Sequence, residues 1–367
     1  MKPILFATGH APAYRAGAFA LLHEREDVEF ALFGGRSKHG GGNLEDELPF
    51  PHRHPSGREL AALAASGRYR AVVCPTGGRV APLASWAGAR RARVPLILWA
   101  SLWAHPRSPA HALSYLPLRR LYRSADAIVT YGPHVSDYVR ARGARNVHVA
   151  PQSVDNDFWS SPDVLPPGDP TWPSSATTRF LFVGRPAREK GLEVLLASWR
   201  ACSLERSQAA LVLAGVGSNP PAWTRAAIGV GDTANGVHFM DAMPAHALRD
   251  VYAASDVLVL PSIPTRTFRE PWGLVVNEAM NRRLPVIASD AVGAAAGGLV
   301  QNRRNGLVVA AGDAAALAQA IGELSREPAL RARLGHAGAQ DVIAYSHEAW
   351  AEGFSRALAS VGASRAA

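Results

Sequence analysis

The chain has little cysteine, no long apolar run and no short repeat, and each absence excludes a class of protein. Its two cysteines, Cys74 and Cys202, cannot build a disulfide framework, so we expect a reducing compartment. No apolar run approaches the roughly 20 residues that a membrane-spanning helix needs. The first residues, MKPILFA, turn polar too early for a signal peptide and instead predict a first strand. We therefore expect a cytoplasmic protein, with peripheral attachment to the inner face of the membrane as an option.

The composition that is present indicates an ordinary globular chain with one basic half. The 367 residues suffice for two domains, and 48% of them are hydrophobic. Residues 1–159 carry 20 basic and 12 acidic residues, whereas the rest of the chain is almost balanced. The excess of basic residues in 1–159 favours an acidic partner, either phosphate ligands or anionic lipid. The alternative is that these arginines only face solvent. A nucleic-acid partner is not expected, because it would favour aromatic residues interleaved with the basic ones.

Short apolar runs alternate with amphipathic stretches, which predicts crossover units and two mostly parallel sheets. We assign an N-terminal Rossmann-like domain to 1–159, a Pro/Ser-rich linker to 160–178 and a second such domain to 179–343. A last amphipathic helix in 344–367 is expected to pack back on the first domain. The predicted strands are Ile4–Ala7, Val28–Phe33, Ala71–Cys74, Leu96–Trp99, Ala127–Thr130, Val147–Ala150, Phe180–Val183, Ala210–Ala214, Val257–Leu260 and Pro285–Ser289.

The segment Arg36–Gly57 is rich in Gly, His and Pro and is typical of a surface loop. It contains His39, His52 and His54, but their spacing matches no zinc pattern and no cysteine is near. No pair of metal-binding carboxylates is evident elsewhere, so we expect neither a metal nor another cofactor.

A strand, a glycine turn and two cations mark the start of the second half, in FLFVGRPAREKG. Ligands of doubly wound sheets bind at the carboxyl ends of the strands. Gly184 would let a ligand approach the backbone, and Arg185 with Lys190 could hold two phosphates. The next strand ends in Gly215 and Gly217, which is weak support for the same edge.

Two glutamates flank a glycine turn and the first turn of a helix in EPWGLVVNEAM. The free amides of that helix start can hold a diphosphate. Glu270 and Glu278 are better suited to accept hydrogen bonds from sugar hydroxyls. The pattern therefore indicates a diphosphate with a sugar on each side, as in a nucleotide sugar, although either glutamate alone could be an ordinary surface residue.

These segments resemble the family 4 retaining glycosyltransferases of the GT-B fold, known as glycosyl transferases group 1. The resemblance rests on FLFVGRPAREKGLEVLL, LVLAGVGS, VHFMDAMPAHALRDVYAASDVLVLPS, EPWGLVVNEAMNRRLPVIASD and NGLVVAAGDAAALAQAI. It covers about 178–335, while the first half matches loosely through VHVAPQSVDNDFW. The family implies two doubly wound α/β domains that face each other across a cleft.

The resemblance also implies a role for each matching residue. Arg185 and Lys190 would bind the donor diphosphate and stabilise the leaving group, Glu278 would hold the ribose, and Glu270 would contact the transferred sugar. The remaining donor-binding set would be Gly184, Gly215, Gly217, Met243, Pro271, Gly273, Leu274 and Val275.

In the first half, the resemblance implies a glycine-rich loop near the donor phosphates and a histidine on the catalytic side. The loop is assigned to 8–17 with Gly9 and Gly17, although it lacks the adjacent glycine pair of the common pattern; the pair Gly77-Gly78 is a second candidate. The histidine is assigned to His105, after the strand Leu96–Trp99. His10 and His134 are the alternatives.

The segment His105–Arg123 mixes apolar and basic residues and could touch an anionic membrane that carries a lipid-linked acceptor. A core helix with a solvated basic face would give the same pattern.

The expected activity is metal-independent transfer, with retention, of a sugar from a nucleotide-diphosphate sugar to an acceptor that we leave unidentified. A non-catalytic nucleotide-sugar binding protein is the main alternative. Another GT-B activity, such as that of an epimerase or a phosphorylase, is disfavoured by the EPWGLVVNEAM context.

Overall fold

A computed structural model describes residues 1–34, 48–78, 80–165, 167–168, 172–205, 208–224 and 236–365. The chain divides into two α/β units. The first unit joins Met1–Asp155 to Tyr345–Ala367, and the second is Asn156–Ala344. Most of the predicted loop 36–57, including His39, lies outside the described residues.

The first unit is built on a seven-stranded parallel sheet in the order β3-β2-β1-β4-β5-β6-β7. Its central strands are buried on both faces, which explains their continuous apolar runs. The strands are β1 (Ile4–Thr8), β2 (Val28–Leu32), β3 (His52–Arg53), β4 (Ala71–Pro75), β5 (Leu96–Ala100), β6 (Ala127–Thr130) and β7 (Val147–Val149).

Helices cover both faces of this sheet. One face packs against α1 and the C-terminal helix, and the other against the helices that follow β3 to β6. The helices are α1 (Ala13–Glu26), α2 (Gly57–Ala65), α3 (Ala81–Ala92), α4 (Pro109–Ser124) and α5 (Pro133–Arg140), with the C-terminal helix at His347–Ser360.

The second unit has a six-stranded parallel sheet in the order β10-β9-β8-β11-β12-β13. The strand order reverses between β8 and β11, so a crevice is expected beyond their carboxyl ends. The strands are β8 (Thr178–Val183), β9 (Ala209–Ala214), β10 (Val237–Met240), β11 (Val257–Leu260), β12 (Val286–Ser289) and β13 (Gly306–Val309).

The helices of the second unit follow the same alternation. They are α6 (Asn156–Ser160), α7 (Leu192–Cys202), α8 (Ala245–Ala253), α9 (Val275–Asn281), α10 (Gly293–Ala296), α11 (Ala314–Arg326) and α12 (Pro328–Asp341), so that the C-terminal helix is α13. Short 3₁₀ turns occupy Arg188–Lys190 and Val342–Ala344.

The predicted strands all occur, with small shifts at their ends, but the predicted boundary at 159 and the linker 160–178 need correction. Helix α6 belongs to the second unit, because Trp159 packs edge-on against Tyr252. The proline-rich segment after it is also fastened to that unit. Arg282 donates to Ser161 O at 2.6 Å, and Arg249 donates to Asp163 O at 2.6 Å.

The interpretation of 36–57 as a surface loop is wrong for its last residues. Phe50 is buried and packs against Phe30 in the core, which holds this part of the chain on the sheet. His52 then begins strand β3, and Gly57 begins α2 behind a capping box of Ser56 and Glu59.

The C-terminal helix α13 completes the core of the first unit. Trp350 and Phe354 are fully buried and contact the aromatic cluster around Phe6, Phe19 and Trp99. The side chains of α13 therefore cover a face of the sheet that would otherwise be exposed.

We expect Trp350→Ala to lower the free energy of unfolding of the first unit by about 3–5 kcal/mol, because it leaves a cavity in this cluster. Urea denaturation followed by circular dichroism measures the change. As a control, Leu116→Ala removes a side chain that is 68% exposed and should change stability by less than about 0.5 kcal/mol. Equal losses for the two variants would contradict the assigned role of α13.

Candidate functional site

A tight turn after β8 docks on the chain that leaves β11 and so creates the site. Gly191 has φ +70°, and a Cβ at this position would lie 2.0 Å from Pro261 O. Only glycine permits this approach without displacing the backbone. The amide of Ile263 also donates to Glu189 O at 2.9 Å. The turn that carries Lys190 is thereby fixed against the carboxyl end of β11.

Lys190 and Glu270, two of the predicted catalytic residues, form a nearly buried ion pair. Lys190 Nζ lies 2.6 Å from Glu270 Oε2, and the two side chains are 18% and 8% exposed. Ser262 Oγ donates to the same carboxylate oxygen at 3.2 Å. A charge-assisted hydrogen bond of this kind offsets part of the cost of burying the two groups.

The backbone around Glu270 is held from the neighbouring strand. Gly293 donates its amide to Glu270 O at 3.1 Å, and Pro271 O lies where a Cβ of Gly293 would be. Ser289, at the end of β12, donates its hydroxyl to Ser262 O. The carboxylate is thus fixed by contacts with two strand ends.

Gly273 makes the turn into α9. Its φ is +94°, and a Cβ there would meet Leu260 Cδ2 at 2.6 Å. Trp272 then donates from Nε1 to Asn277 Oδ1 at 2.8 Å inside the protein. Leu274 then caps α9, which begins at Val275, and the first amides of a helix have no carbonyl partner within the helix itself. The predicted amide group therefore lies directly after Glu270.

Glu278 lies one turn into α9, and Tyr252 of α8 donates to its Oε2 at 2.7 Å. Burial raises the pKa of Glu278 to about 7, while the bond from Tyr252 opposes this rise. This carboxyl group is therefore divided between its two protonation states near neutral pH.

Three predicted glycines lie at the neighbouring strand ends. A Cβ at Gly184 would be 3.9 Å from Lys190 Cδ, and one at Gly215 would be 3.2 Å from Gly184 O. Both Gly215 and Gly217 donate their amides to Met240 O at 3.0 Å. The structure thus brings Gly184, Gly215 and Lys190 to one sheet edge, while Met243 lies in the segment between β10 and α8.

Arg185 is turned toward its own segment. Its Nη2 lies 2.5 Å from Glu189 Oε1, and its side chain is 59% exposed. Its long exposed side chain can reorient toward an anion at the sheet edge with little resistance from packing.

The glycine-rich loop predicted for 8–17 is shorter than expected. Gly9 follows β1 and accepts a hydrogen bond from the amide of Gly34 at 2.8 Å. Helix α1, however, begins at Ala13, so Gly17 lies inside a helix, where a Cβ would meet His347 Nδ1 at 2.7 Å. The correction has a physical cause, because Phe19 and Leu22 bury an amphipathic face on the sheet.

His105 follows β5 as predicted, and its ring is engaged within its own region. Nε2 lies 2.9 Å from His111 O, Nδ1 lies 3.4 Å from Tyr138 Oη, and Tyr115 packs edge-on against the ring. Its role on the catalytic side stays a prediction. The structure also pairs His134 edge-on with Trp103.

Sequence reasoning missed Ser262 and Tyr252, which position the two glutamates. Ser262 comes directly after the strand Val257–Leu260 and its proline, so its place at a strand end was a usable signal. Tyr252 had no such signal, because only the packing of α8 on α9 brings it to Glu278. Within the described residues, no cluster of three or more His, Cys, Asp or Glu side chains could hold a metal ion.

Residues 177–327 match the model of the family described as "Glycosyl transferases group 1". This segment contains every predicted site residue of the second unit. A D-inositol 3-phosphate glycosyltransferase of Xylanimonas cellulosilytica is 30% identical over 285 residues, which cover 70% of this chain and 64% of that protein. A protein of the same name from Streptomyces avermitilis is 36% identical over 118 residues, which cover 31% of this chain and 23% of that protein. The chain thus spans less than two thirds of the length of these relatives.

The fold is shared over nearly the whole chain with solved proteins of low sequence identity. HepE of Anabaena, solved in complex with UDP and glucose, has a TM-score of 0.74 at 16% identity and covers 98% of this chain and 100% of that chain. Sucrose-phosphate synthase of Thermosynechococcus elongatus has a TM-score of 0.69 at 21% identity, with 97% and 98% covered. The predicted fold class, the GT-B fold with two doubly wound Rossmann-like domains, is confirmed.

Proposed function

We propose that the chain is a retaining glycosyltransferase that moves a sugar from a nucleotide-diphosphate sugar to an acceptor hydroxyl. The observation that carries the proposal is the ion pair of Lys190 with Glu270 at the point where the strand order of the second sheet reverses. A cation for a phosphate and a carboxylate for sugar hydroxyls there lie within 2.6 Å of each other. The donor would therefore bind with its sugar–phosphate linkage beside this pair.

The donor diphosphate would lie between Lys190 and the first amides of α9. Lys190 supplies a fixed positive charge, and the exposed Arg185 can swing from Glu189 to a second phosphate. The amides of Gly273, Leu274 and Val275 would add hydrogen bonds to phosphate oxygens. Both the solved Anabaena complex with UDP and the relatives named as glycosyltransferases support a donor of this kind.

The two glutamates would bind the two sugars of the donor, the ribose and the transferred sugar. Glu278, which accepts a hydrogen bond from Tyr252, would also accept hydrogen bonds from ribose hydroxyls, and Glu270 would accept them from the transferred sugar. Glu270 is already neutralised by Lys190, which reduces the cost of placing it beside a phosphate. The ribose and the transferred sugar would thus flank the diphosphate.

The reaction would break the anomeric C–O bond to the phosphate and form a C–O bond to the acceptor on the same face of the sugar. Negative charge then grows on the departing phosphate oxygen, where Lys190 and Arg185 stabilise it. That oxygen takes the proton of the acceptor hydroxyl, so no general base from the protein is required. Direct attack on the same face of the sugar likewise requires no carboxylate nucleophile. Because two cations lie at the leaving group, we propose that no metal ion is needed. The acceptor can be a glycan, a lipid-linked molecule or a small molecule.

We expect one of the UDP-, GDP-, ADP- or dTDP-sugars to stabilise the fold and to release its nucleoside diphosphate slowly. A donor at 100 times its Kd should stabilise the folded state by about 2.7 kcal/mol, which thermal unfolding detects. Product release is measured by a coupled assay. Stabilisation without any release would favour a non-catalytic binding protein, and no shift with any donor or free nucleoside diphosphate would remove the proposal.

We expect the double variant Lys190→Met/Glu270→Gln to fold normally and to lose turnover by about 10²–10³ or more in kcat. The double change avoids leaving a buried charge without its partner, which would itself cost about 3–5 kcal/mol. Arg188→Met, which removes an exposed cation from the same turn, is the matched control and should retain turnover. A comparable loss in Arg188→Met would show that general charge, and not the pair, is responsible.

Donor binding should strengthen as pH rises from 6 to 8, by up to about tenfold. The reason is that the ionised form of Glu278 accepts ribose hydrogen bonds, and its pKa of about 7 leaves only a small ionised fraction at pH 6. Calorimetric titration of the donor gives Kd at each pH. Glu278→Gln should flatten the profile, and an unchanged pH dependence in this variant would assign the titration to another group.

A further inference from the structure

One stretch of the first unit carries all the excess positive charge of the chain. Residues 60–125 contain ten arginines and no aspartate or glutamate, whereas the whole chain has 39 basic and 30 acidic residues. The stretch includes α3 and α4, two neighbouring helices on one face of the first sheet. A positive field of this size attracts an anionic partner.

The same two helices expose leucines. On α4, Leu113 is 83% exposed and Leu116 is 68% exposed, and they share a face with Pro117 and Arg120 at helical spacing. On α3, Leu83 is 50% exposed. Single exposed leucines are common, but three on adjacent helices with a basic border mark an interaction surface.

The two helices form one continuous surface. Trp86 of α3 donates from Nε1 to Ser124 Oγ of α4 at 3.1 Å. A groove of about 700 Å³ runs between them and is lined by Leu83, Trp86, Leu116, Pro117, Arg119, Arg120, Leu121, Arg123 and Ser124. We call this set, together with Leu113, the α3–α4 surface.

Apolar and basic side chains alternate along this surface. Leu83 and Leu116 line the same groove as Arg119, Arg120 and Arg123. The α3–α4 surface therefore presents leucines and arginines next to one another. Arginine stems can lie along apolar surface while their heads reach phosphates.

We propose that the α3–α4 surface docks the protein on an anionic lipid bilayer. The leucines would enter the boundary of the acyl chains, and Arg119, Arg120 and Arg123 would contact headgroup phosphates. Exposed aliphatic side chains favour this partner over a nucleic acid, which is held by phosphate contacts and by stacking on aromatic rings. The proposal is independent of the donor chemistry, since none of these residues belongs to the site of the second unit.

Docking would be peripheral. Among the described residues, no helix is both long enough and apolar enough to cross a bilayer. Binding would rest on electrostatic attraction, which salt weakens, and on shallow insertion of leucines, which salt does not weaken. The two contributions can therefore be separated by experiment.

We expect the full chain to co-sediment with vesicles of phosphatidylcholine and phosphatidylglycerol at 7:3 and not with phosphatidylcholine alone. Arg119→Gln/Arg120→Gln should lower the partition coefficient by at least about tenfold at low salt. The control Arg326→Gln/Arg333→Gln removes the same charge from exposed positions of the second unit and should bind like the unaltered chain.

Leu113→Ser/Leu116→Ser should weaken vesicle binding that persists at high salt, with an unchanged melting temperature and unchanged donor binding. The proposal would be overturned if the control pair lost as much vesicle binding as Arg119→Gln/Arg120→Gln. It would also be overturned if Leu113→Ser/Leu116→Ser left vesicle binding unchanged. Tight binding of duplex DNA or of single-stranded RNA by the α3–α4 surface, without vesicle binding, would assign the surface to a nucleic acid instead. Because donor binding is measured separately, failure here leaves the proposed activity untouched.

Discussion

The close approach of Gly191 to Pro261 is the constraint on which the site depends. No side chain fits between the two backbones, so the turn after β8 lies directly on the end of β11. Lys190 precedes this glycine and therefore reaches the carboxylate of Glu270, 80 positions further along the chain. The ends of β8 and β11 place the two segments side by side, and Gly191 lets them touch. The ion pair of Lys190 with Glu270 depends on both. A larger residue at Gly191 would push the turn off Pro261 and so move Lys190 away from Glu270.

The ion pair also shows how the fold tolerates charge in a poorly solvated place. Burying a carboxylate or an ammonium alone is costly, and the pair becomes acceptable because Ser262 adds a hydrogen bond to Glu270. In the part of the chain that the structure describes, Glu278 has no cation as a partner. It accepts a hydrogen bond from Tyr252, and burial raises its pKa to about 7. The two carboxylates, eight positions apart, thus have different partners, an ammonium group for Glu270 and a phenol for Glu278. They would respond differently to a ligand that brings hydroxyl groups or phosphate.

Sequence patterns predicted ten of the described strands, because buried parallel strands are short apolar runs, but they did not predict β3, β10 and β13. The family resemblance, which is strongest at the strand ends, also pointed to Lys190 and Glu270, and the structure brings these two side chains together. Sequence patterns failed where long-range packing decides. Gly17 was assigned to a loop, yet the apolar face of α1 extends the helix through it. Tyr252 was not found, because its partner Glu278 is defined by the packing of two helices. Composition predicts a Pro/Ser-rich linker in 160–178 but not that arginines of the second unit bind its carbonyl groups.

The first unit is interrupted in the chain by the whole of Asn156–Ala344 and is completed only by α13. During synthesis, the sheet that carries Phe6 and Trp99 leaves the ribosome long before Trp350 and Phe354 exist. At about 5–20 residues per second, that apolar face waits for roughly ten to forty seconds. The second unit, being continuous, can fold within this interval. A nascent chain stalled before residue 345 would thus contain a complete second unit and a first unit whose apolar sheet face lacks α13.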